Sequence, residues 1–490
     1  MTFSSLTVSL KPEITLTPVE GNILLQSSSR KLTFHQPEPG LKTALDALKQ
    51  GTHTPGQLQT LILETDGTQV REKFDAYLNR LIELGWICHA IPPSSPELSP
   101  LAIAIPMVGD YYFDCPEIDW DAFAKRFQRN IAFTLSRFAY LHQVEGEMVL
   151  ESPLTKGKIK FSDWRGPGLV SQLSQPQTAT SLSQEIPGIT EEIAQQFLSL
   201  LFAAQMLSAS FASPVEEDEE VKSEEATPPL VFWEFHDLLF HSRSRLGRHN
   251  NPLGGIFPYV GKIDPLPGVK PLMSDVVIPL AKPNLEELNQ TDMPLSQALE
   301  TRRSIRRYDE TPITLEQLGQ FLYRCARVKK LFDTERGEVS NRPYPGGGAI
   351  YELEIYPVVN ACQGLKQGLY HYHPLDHLLC QVSAWTAETE ALVQDVWFAS
   401  AQHDQPQVVF VITARFGRMF WKYQSMAYAT ILKHVGVMYQ TFYLVATSMN
   451  LAPCGIGAGN SDLFQKATGI DYYEESSVGE FMLASVPVNP

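Results

Sequence analysis

The feature that most constrains the fold is an internal repeat. Val19-Glu20-Gly21-Asn22-Ile23-Leu24-Leu25 is echoed by Val144-Glu145-Gly146-Glu147-Met148-Val149-Leu150. Each copy continues into a second short apolar stretch, Lys31-Leu32-Thr33-Phe34 and Lys158-Ile159-Lys160-Phe161. A Pro-Gly break follows, at Pro39-Gly40 and Pro167-Gly168, and then segments with helical spacing, the last being 70–84 and 193–205. Glycine turns between short alternating runs predict hairpins, and a switch to a 3.6-residue period predicts helices. Each copy therefore reads as a β-hairpin followed by about three helices, a small winged-helix-like unit. Residues 1–95 and 96–210 bound the two copies.

Charge narrows what such units bind. The chain of 490 residues carries a formal net charge of −16. That balance, without a basic recognition helix, argues against nucleic acid and against anionic membranes. A sheet edge that accepts an extended peptide is the better functional reading, beside a purely architectural pair of domains. No run approaches the length of a membrane span, and the start Met1-Thr2-Phe3-Ser4-Ser5 shows no signal peptide. The six cysteines are scattered without a C-x-x-C pair, which suits neither zinc nor a disulfide framework and points to a reducing cytoplasm.

The acidic run Ser213–Glu225 predicts an exposed linker over 211–228, with a separate α+β domain over 229–490. Several segments of that domain have chemical potential. Phe235–Arg245 reads as a helix; His236 and His241 are five apart, off the i,i+4 spacing of a helical metal pair. Pro294–Glu300 reads as a short helix that leads into Arg302-Arg303-Ser304-Ile305-Arg306-Arg307. Four guanidinium groups in six residues suit a phosphate, or else a solvated helix end. Tyr344-Pro345-Gly346-Gly347-Gly348-Ala349 lacks the Gly-Lys-Ser/Thr of a P-loop, yet its backbone can approach a ligand closely. Glu352–Val359 and Pro406–Thr413 read as strands. Lys422-Tyr423 suits either a snorkelling lysine beside a packing tyrosine or an acid/base pair. Ala427–Met449 is apolar nearly all round, which predicts a central buried helix. Pro453-Cys454-Gly455-Ile456-Gly457 reads as a second glycine-rich turn, with Cys454 as a small packing residue.

In this order the motifs resemble the nitroreductase-like flavin enzymes. More narrowly, they resemble the SagB-type dehydrogenases that mature ribosomal peptides, and among those the cyanobactin thiazoline oxidases. The resemblance covers about Phe232 to Leu483, and the two N-terminal copies resemble leader-peptide recognition domains. It implies an α+β nitroreductase-like domain with FMN at a homodimer interface. Arg302 and Ser304 would hold the FMN phosphate, and Arg306 would lie against the pyrimidine side. Pro345, Gly346 and Gly347 would come from the partner subunit, and Pro453, Gly455, Ile456 and Gly457 would line the flavin. Relatives often place a basic residue near the C-terminus for the phosphate. Here Val486-Pro487-Val488-Asn489-Pro490 has none, so Arg303 or Arg307 would supply that charge. Where many relatives have a serine, this chain has Gly346-Gly347. Lys422 and Tyr423 match the family's acid/base pair. They would take the proton beside the carbonyl of a peptide thiazoline or oxazoline, with FMN accepting hydride. Two other functions compete: a general NAD(P)H-dependent nitro- or quinone reductase on the same fold, and a non-catalytic peptide-binding scaffold.

Overall fold

The computed structural model describes residues 6–93, 99–109, 131–211, 224–226 and 228–487. The acidic stretch from Ser213 to Ser223, Cys115, and residues 96–98 and 110–130 of the second predicted copy lie outside the described residues. The chain forms two compact units, 1–251 and 252–490.

The first unit contains the repeat. One copy runs β1 (Thr7–Leu10), β2 (Thr15–Val19), β3 (Asn22–Gln26), β4 (Lys31–Phe34), α1 (Pro39–Gln50), α2 (Pro55–Asp66), α3 (Thr68–Glu83) and β5 (Ile87–Ala90). After β6 (Ala102–Pro106) the same order recurs. It runs β7 (Ile131–Leu135), β8 (Tyr140–Val144), β9 (Glu147–Glu151), β10 (Gly157–Phe161), α4 (Arg165–Gln172), α5 (Ala179–Glu185), α6 (Glu191–Ala203) and β11 (Leu207–Phe211). The echoed sequences are the hairpin turns. Glu20 and Gly21 take φ of 49° and 83°, and Glu145 and Gly146 take 51° and 89°. Positive φ at both central residues is the turn whose twist matches the flanking strands. Each third helix also ends alike: Trp86 N–H donates to Leu81 O and Met206 N–H to Leu201 O, both at 2.9 Å. Gly85 serves the left-handed position in the first copy, but Gln205 must adopt φ 56° in the second, a strain of about 1 kcal/mol.

Each copy therefore has a three-stranded meander rather than a hairpin, flanked by an extra antiparallel pair, β1–β5 or β7–β11. The copies differ at one edge. In the second, β10 is paired along its length by β6, from Gly157↔Pro106 to Phe161↔Ala102. The matching strand of the first copy, β4, is the free edge of the sheet β2-β3-β4 among the described residues. The first described element of the second copy that has a counterpart in the first is β7, and the preceding described stretch supplies β6.

The helix α7 (Phe235–Arg243) also belongs to the first unit. Its Arg243 bonds Glu151 at 2.6 Å, and Tyr140 OH donates to the same carboxylate at 2.9 Å. Arg137 donates to the carbonyls of Leu230 and Trp233. This pulls 229–251 away from the domain to which the sequence reading assigned it; the second unit begins at Pro252. His236 lies beside Asp237 and His241 stacks on Trp233.

The second unit is an antiparallel seven-stranded sheet. It is built from β13 (Val277–Pro279), β16 (Leu353–Val359), β17 (Gly368–His373), β18 (Leu378–Ala384), β19 (Val408–Arg415), β21 (Leu451–Ile456) and β22 (Glu475–Ser485), in the order β13-β18-β17-β16-β19-β22-β21. Short pairs β12 (Gly254–Gly255) with β20 (Tyr423–Gln424), and β14 (Lys330–Thr334) with β15 (Gly337–Asn341), flank it. Its remaining helices are α8 (Leu285–Thr291), α9 (Leu295–Thr301), α10 (Leu315–Ala326), α11 (Ala387–Ala399), α12 (Phe416–Phe420), α13 (Ala427–Ser448) and α14 (Ser461–Thr468). Ile355, Phe410, Ile412 and Phe481 pack with Phe321 of α10 and Phe442 of α13. The alternate residues Tyr356, Val409, Val411 and Met482 pack with Leu392 and Val396 of α11 and Phe464 of α14. A strand covered on both faces is buried at every position, so Val408–Ile412 is a continuous apolar run, and the buried polar residues Thr413 and Arg415 are bonded to Glu475 and to Pro267 O and Glu354.

Two expectations need correction here. The α13 helix is not buried all round: Ile431, Val435, Met438 and Phe442 are buried, whereas Tyr428 and Leu432 are 41% and 40% exposed. Leu451–Ile456 is not a turn. It is the edge strand β21, paired with β22 from Leu451↔Ser485 to Ile456↔Glu480. Among the described residues, no helix is long and apolar enough to cross a membrane.

Candidate active site

Two clusters of functional side chains flank α13, one towards each end. At the C-terminal end, α9 stops at Thr301 and Arg302–Arg307 continues as a loop that touches β21 at Ile305. Ile305 N–H donates to Pro453 O at 2.9 Å. The Ser304 hydroxyl meets the Tyr443 hydroxyl at 2.7 Å, and Gly455 N–H donates to that same Tyr443 oxygen at 2.8 Å. The Arg302 guanidinium stacks over the Tyr443 ring. Tyr439, one turn earlier, donates to Ile456 O at 3.1 Å. A side chain at Gly455 would press on the Tyr439 ring, 3.2 Å away, so glycine is what lets β21 lie against the helix. An open pocket of about 490 Å³ is lined by Arg303 to Tyr308, with His403, Asp404, Val486 and Pro487. Asp404 secures the segment through backbone contacts, accepting from Tyr308 N–H at 2.7 Å and donating its own N–H to Arg306 O. Among the described residues, none of Arg302, Arg303, Arg306 and Arg307 forms a salt bridge. Three arginines and one carboxylate, Asp404, line the cavity, with Arg302 stacked on Tyr443 next to it; that excess of guanidinium charge suits an anion such as a phosphate.

At the other end, Lys422 and Tyr423 lead into α13. Lys422 Nζ donates to Gly348 O at 3.3 Å and lies 5.6 Å from the Phe257 ring centroid. Gly348 takes φ 62°, and a Cβ there would fall on Lys422 Nζ and within 2.5 Å of the Tyr423 hydroxyl. The third glycine of the loop is therefore required both by its backbone and by the side chains beside it. Gly347 N–H donates to His434 Nε2 at 2.7 Å, and His434 Nδ1 meets Glu352 Oε1 at 2.7 Å. Gly346 packs on the Tyr351 ring, with Pro345 exposed beside it. Burial, and then the charge of Arg336, lower the Lys422 pKa from its ordinary value. Burial, and then the Glu352 charge, raise that of Tyr423. A lysine that loses its proton more readily beside a phenol that keeps its own is a pair suited to general-base work.

The structure brings Arg302, Ser304, Pro453, Gly455 and Ile456 together, with Arg303 and Arg306 on the adjoining pocket and Gly457 just past the end of β21. It brings Gly346, Gly347, Lys422 and Tyr423 together separately. His434 and Tyr443 are nine residues apart on α13, about 13 Å along the axis. Burial pushes the Cys454 thiol up, as suits a packing residue. Sequence reasoning missed Tyr443, Asp404, Glu352 and His434. Among the described residues, no three His, Cys, Asp or Glu side chains are grouped to hold a metal.

Comparison with known proteins agrees with this architecture. Residues 299–485 match the nitroreductase family model. A protein of Methanocaldococcus jannaschii named as a nitroreductase is 30% identical over 179 residues, covering 36% of this chain and 82% of that one. The chain belongs to the nitroreductase family. Residues 133–250 match the cyanobactin oxidase ThcOx model and residues 1–115 its helix-turn-helix domain, which makes the enzyme an oxidoreductase of the cyanobactin oxidase type. The microcin B17-processing protein McbC of Escherichia coli is 30% identical over 132 residues, spanning 26% of this chain and 47% of McbC. A crystal structure of a Ralstonia eutropha protein named as a nitroreductase is also similar. It has a TM-score of 0.34 and 21% identity, covering 48% of this chain and 97% of that one.

Proposed function

We propose that this enzyme oxidises thiazoline or oxazoline rings of a ribosomally made peptide to thiazoles or oxazoles. The observation that carries the reading is the Lys422–Tyr423 pair, held against Gly348 beside an open glycine loop. FMN fits the residues present: Arg302, Arg303, Arg307 and Ser304 for its phosphate, with Arg306 and the glycine-bearing strand Pro453–Ile456, running to Gly457, for its ring. When bound, FMN supplies the two-electron acceptor. The chain's own residues do the rest. Lys422 takes the proton from the ring carbon next to the carbonyl, and the Tyr423 hydroxyl, which keeps its own proton, donates a hydrogen bond to that carbonyl. Arg302 and Ser304 would hold the phosphate with the added charge of Arg303 or Arg307, and Arg306 would lie against the pyrimidine side of the ring.

A homodimer is part of the proposal. The two clusters lie at opposite ends of α13, and the outer face of that helix exposes Tyr428 and Leu432. A second copy packed on this face would cover it and bring the Lys–Tyr end of one chain to the arginine end of the other. The five described cysteines are free and buried, which suits a reducing compartment such as the cytoplasm.

Delivery falls to the first N-terminal copy. Among the described residues its β4 edge is unpaired, whereas β6 of the chain itself occupies the equivalent edge of the second copy. The antiparallel β6–β10 ladder illustrates how an extended leader segment would add to β4. The test of the catalytic reading is the flavin-loaded pair Lys422→Ala and Tyr423→Phe, which should turn over azoline peptide far more slowly than wild type. Wild-type rates in both would remove the base assignment. Steady NADPH oxidation with a nitroaromatic, and none with azoline peptide, would replace the reading with a general reductase.

A further inference from the structure

The reading above leaves unused the buried pair behind the glycine loop. Glu352 is 0% exposed and His434 is 6% exposed. Glu352 Oε1 lies 2.7 Å from His434 Nδ1, and the other carboxyl oxygen has no hydrogen-bond partner among the described residues. His434 Nε2 lies 2.7 Å from Gly347 N. That backbone group can only donate, so Nε2 accepts and carries no proton. The ring proton therefore sits on Nδ1 and is donated to Glu352. Glu352 fixes the tautomer that leaves Nε2 free to hold the loop. Burying a carboxyl group with one oxygen unsatisfied is costly. The contact it secures must be worth that cost to the protein.

The contact leads directly to the candidate base. His434 fixes Gly347; the next residue, Gly348, is held at φ 62°; and its carbonyl oxygen accepts from Lys422 Nζ at 3.3 Å. A Cβ at Gly347 would meet His434 Nε2 at 3.1 Å and Thr430 Cγ2 at 3.3 Å, so the loop sits tightly on the helix at this point. We propose that Glu352 and His434 are positioning residues: they clamp the Gly346–Gly348 turn to α13 and thereby set the place of the Lys422 amine. This rests on the reading of Lys422 as the base, and neither residue touches the reacting atoms.

The test uses the full-length, flavin-loaded protein with His434→Phe, His434→Gln and Glu352→Gln, and Lys422→Ala as a separate arm. One readout needs no turnover: the rate at which acetic anhydride labels Lys422, followed by peptide mass spectrometry across pH. The other is the split of kcat from KM with azoline peptide. His434→Phe keeps a ring of similar size but removes the acceptor. It should shift the Lys422 labelling profile and lower kcat about 10- to 100-fold, with KM nearly unchanged. Glu352→Gln should have a smaller effect, because its amide oxygen still accepts from Nδ1. His434→Gln should recover part of the loss, since its carbonyl can accept from Gly347 N–H. The proposal is overturned if His434→Phe leaves labelling and kcat at wild-type values. It is equally overturned if all three variants lose flavin and thermal stability in parallel, since the pair would then be merely structural. Normal turnover by Lys422→Ala would sink the base assignment alone, and the labelling profiles would still decide whether the pair positions Lys422.

Discussion

Adding one methyl group at Gly348 should separate stability from activity in this enzyme. The residue sits at φ 62°, where a side chain costs about 1 kcal/mol of backbone strain. The new Cβ would fall on Lys422 Nζ, 2.5 Å from the Tyr423 hydroxyl and 3.1 Å from Lys422 Cε. The obstructing atoms are mostly the ends of flexible side chains, so the fold can yield. Lys422 must swing away by more than about 1 Å to restore ordinary van der Waals separation. A displacement of that size at a reacting group costs about 100-fold in rate, or roughly 2.7 kcal/mol of barrier. Gly348→Ala is therefore expected to melt only a few degrees below wild type, while kcat for azoline peptide falls about 100-fold. Gly469→Ala is the control, because Gly469 has φ 73° with nothing within 4 Å of its Cβ position. It should show the same drop in melting temperature and normal turnover. If Gly348→Ala melts like the control and turns over like wild type, the position of Lys422 against the loop does not matter to catalysis.

Other outcomes follow from the same geometry. Burial and Arg336 depress the Lys422 pKa, so kcat should rise with pH through a midpoint below that of an ordinary lysine; Arg336→Gln should move the midpoint upward. Burial pushes the Glu480 carboxyl up from 4.5 to about 7. The folded state then holds a proton that the unfolded state has released. Stability should fall as pH rises through that window, by about 3 kcal/mol at most. Glu480→Gln should abolish the fall in calorimetric melts at pH 5 and pH 8; an unchanged pH slope would show that Glu480 is ionised throughout. For peptide capture, Thr33→Cys on β4 and Lys160→Cys on β10 occupy matching positions, opposite Leu24 and Val149. A thiol-reactive cross-linker on the leader should label Thr33→Cys and spare Lys160→Cys; equal labelling would remove the distinction between the copies.

The repeat was legible because its turns are local. Glu20-Gly21 and Glu145-Gly146 each determine a hairpin from adjacent residues, and the helices after the Pro-Gly breaks follow their own apolar spacing. What escaped was non-local. Ala102–Pro106 is unremarkable in sequence, and its partner β10 begins about 50 residues later, so nothing nearby marks β6 as the sealing strand. Arg243 reads as the end of a helix in the second domain until Glu151 and Tyr140 draw it into the first unit. In the site, the arginine run, the glycine loop and Lys422-Tyr423 are contiguous and could be found. Glu352 and His434 are 82 positions apart, and only the α13–β16 packing makes them a pair. Pro453–Gly457 looked like a turn because glycines suggest one; the helix packed against it explains glycine within a strand.

The β6 strand has a consequence for binding stoichiometry. Because β6 is tethered to the edge it fills, it competes with any incoming peptide at an effective concentration on the millimolar scale. A leader of ordinary affinity cannot displace it, so the second copy is in effect permanently saturated. Titration of leader peptide would then show a single class of site, one per chain, despite the duplicated module. On the proposed reading, the duplication contributes a folded platform, and selection of the substrate's leader falls to one strand edge.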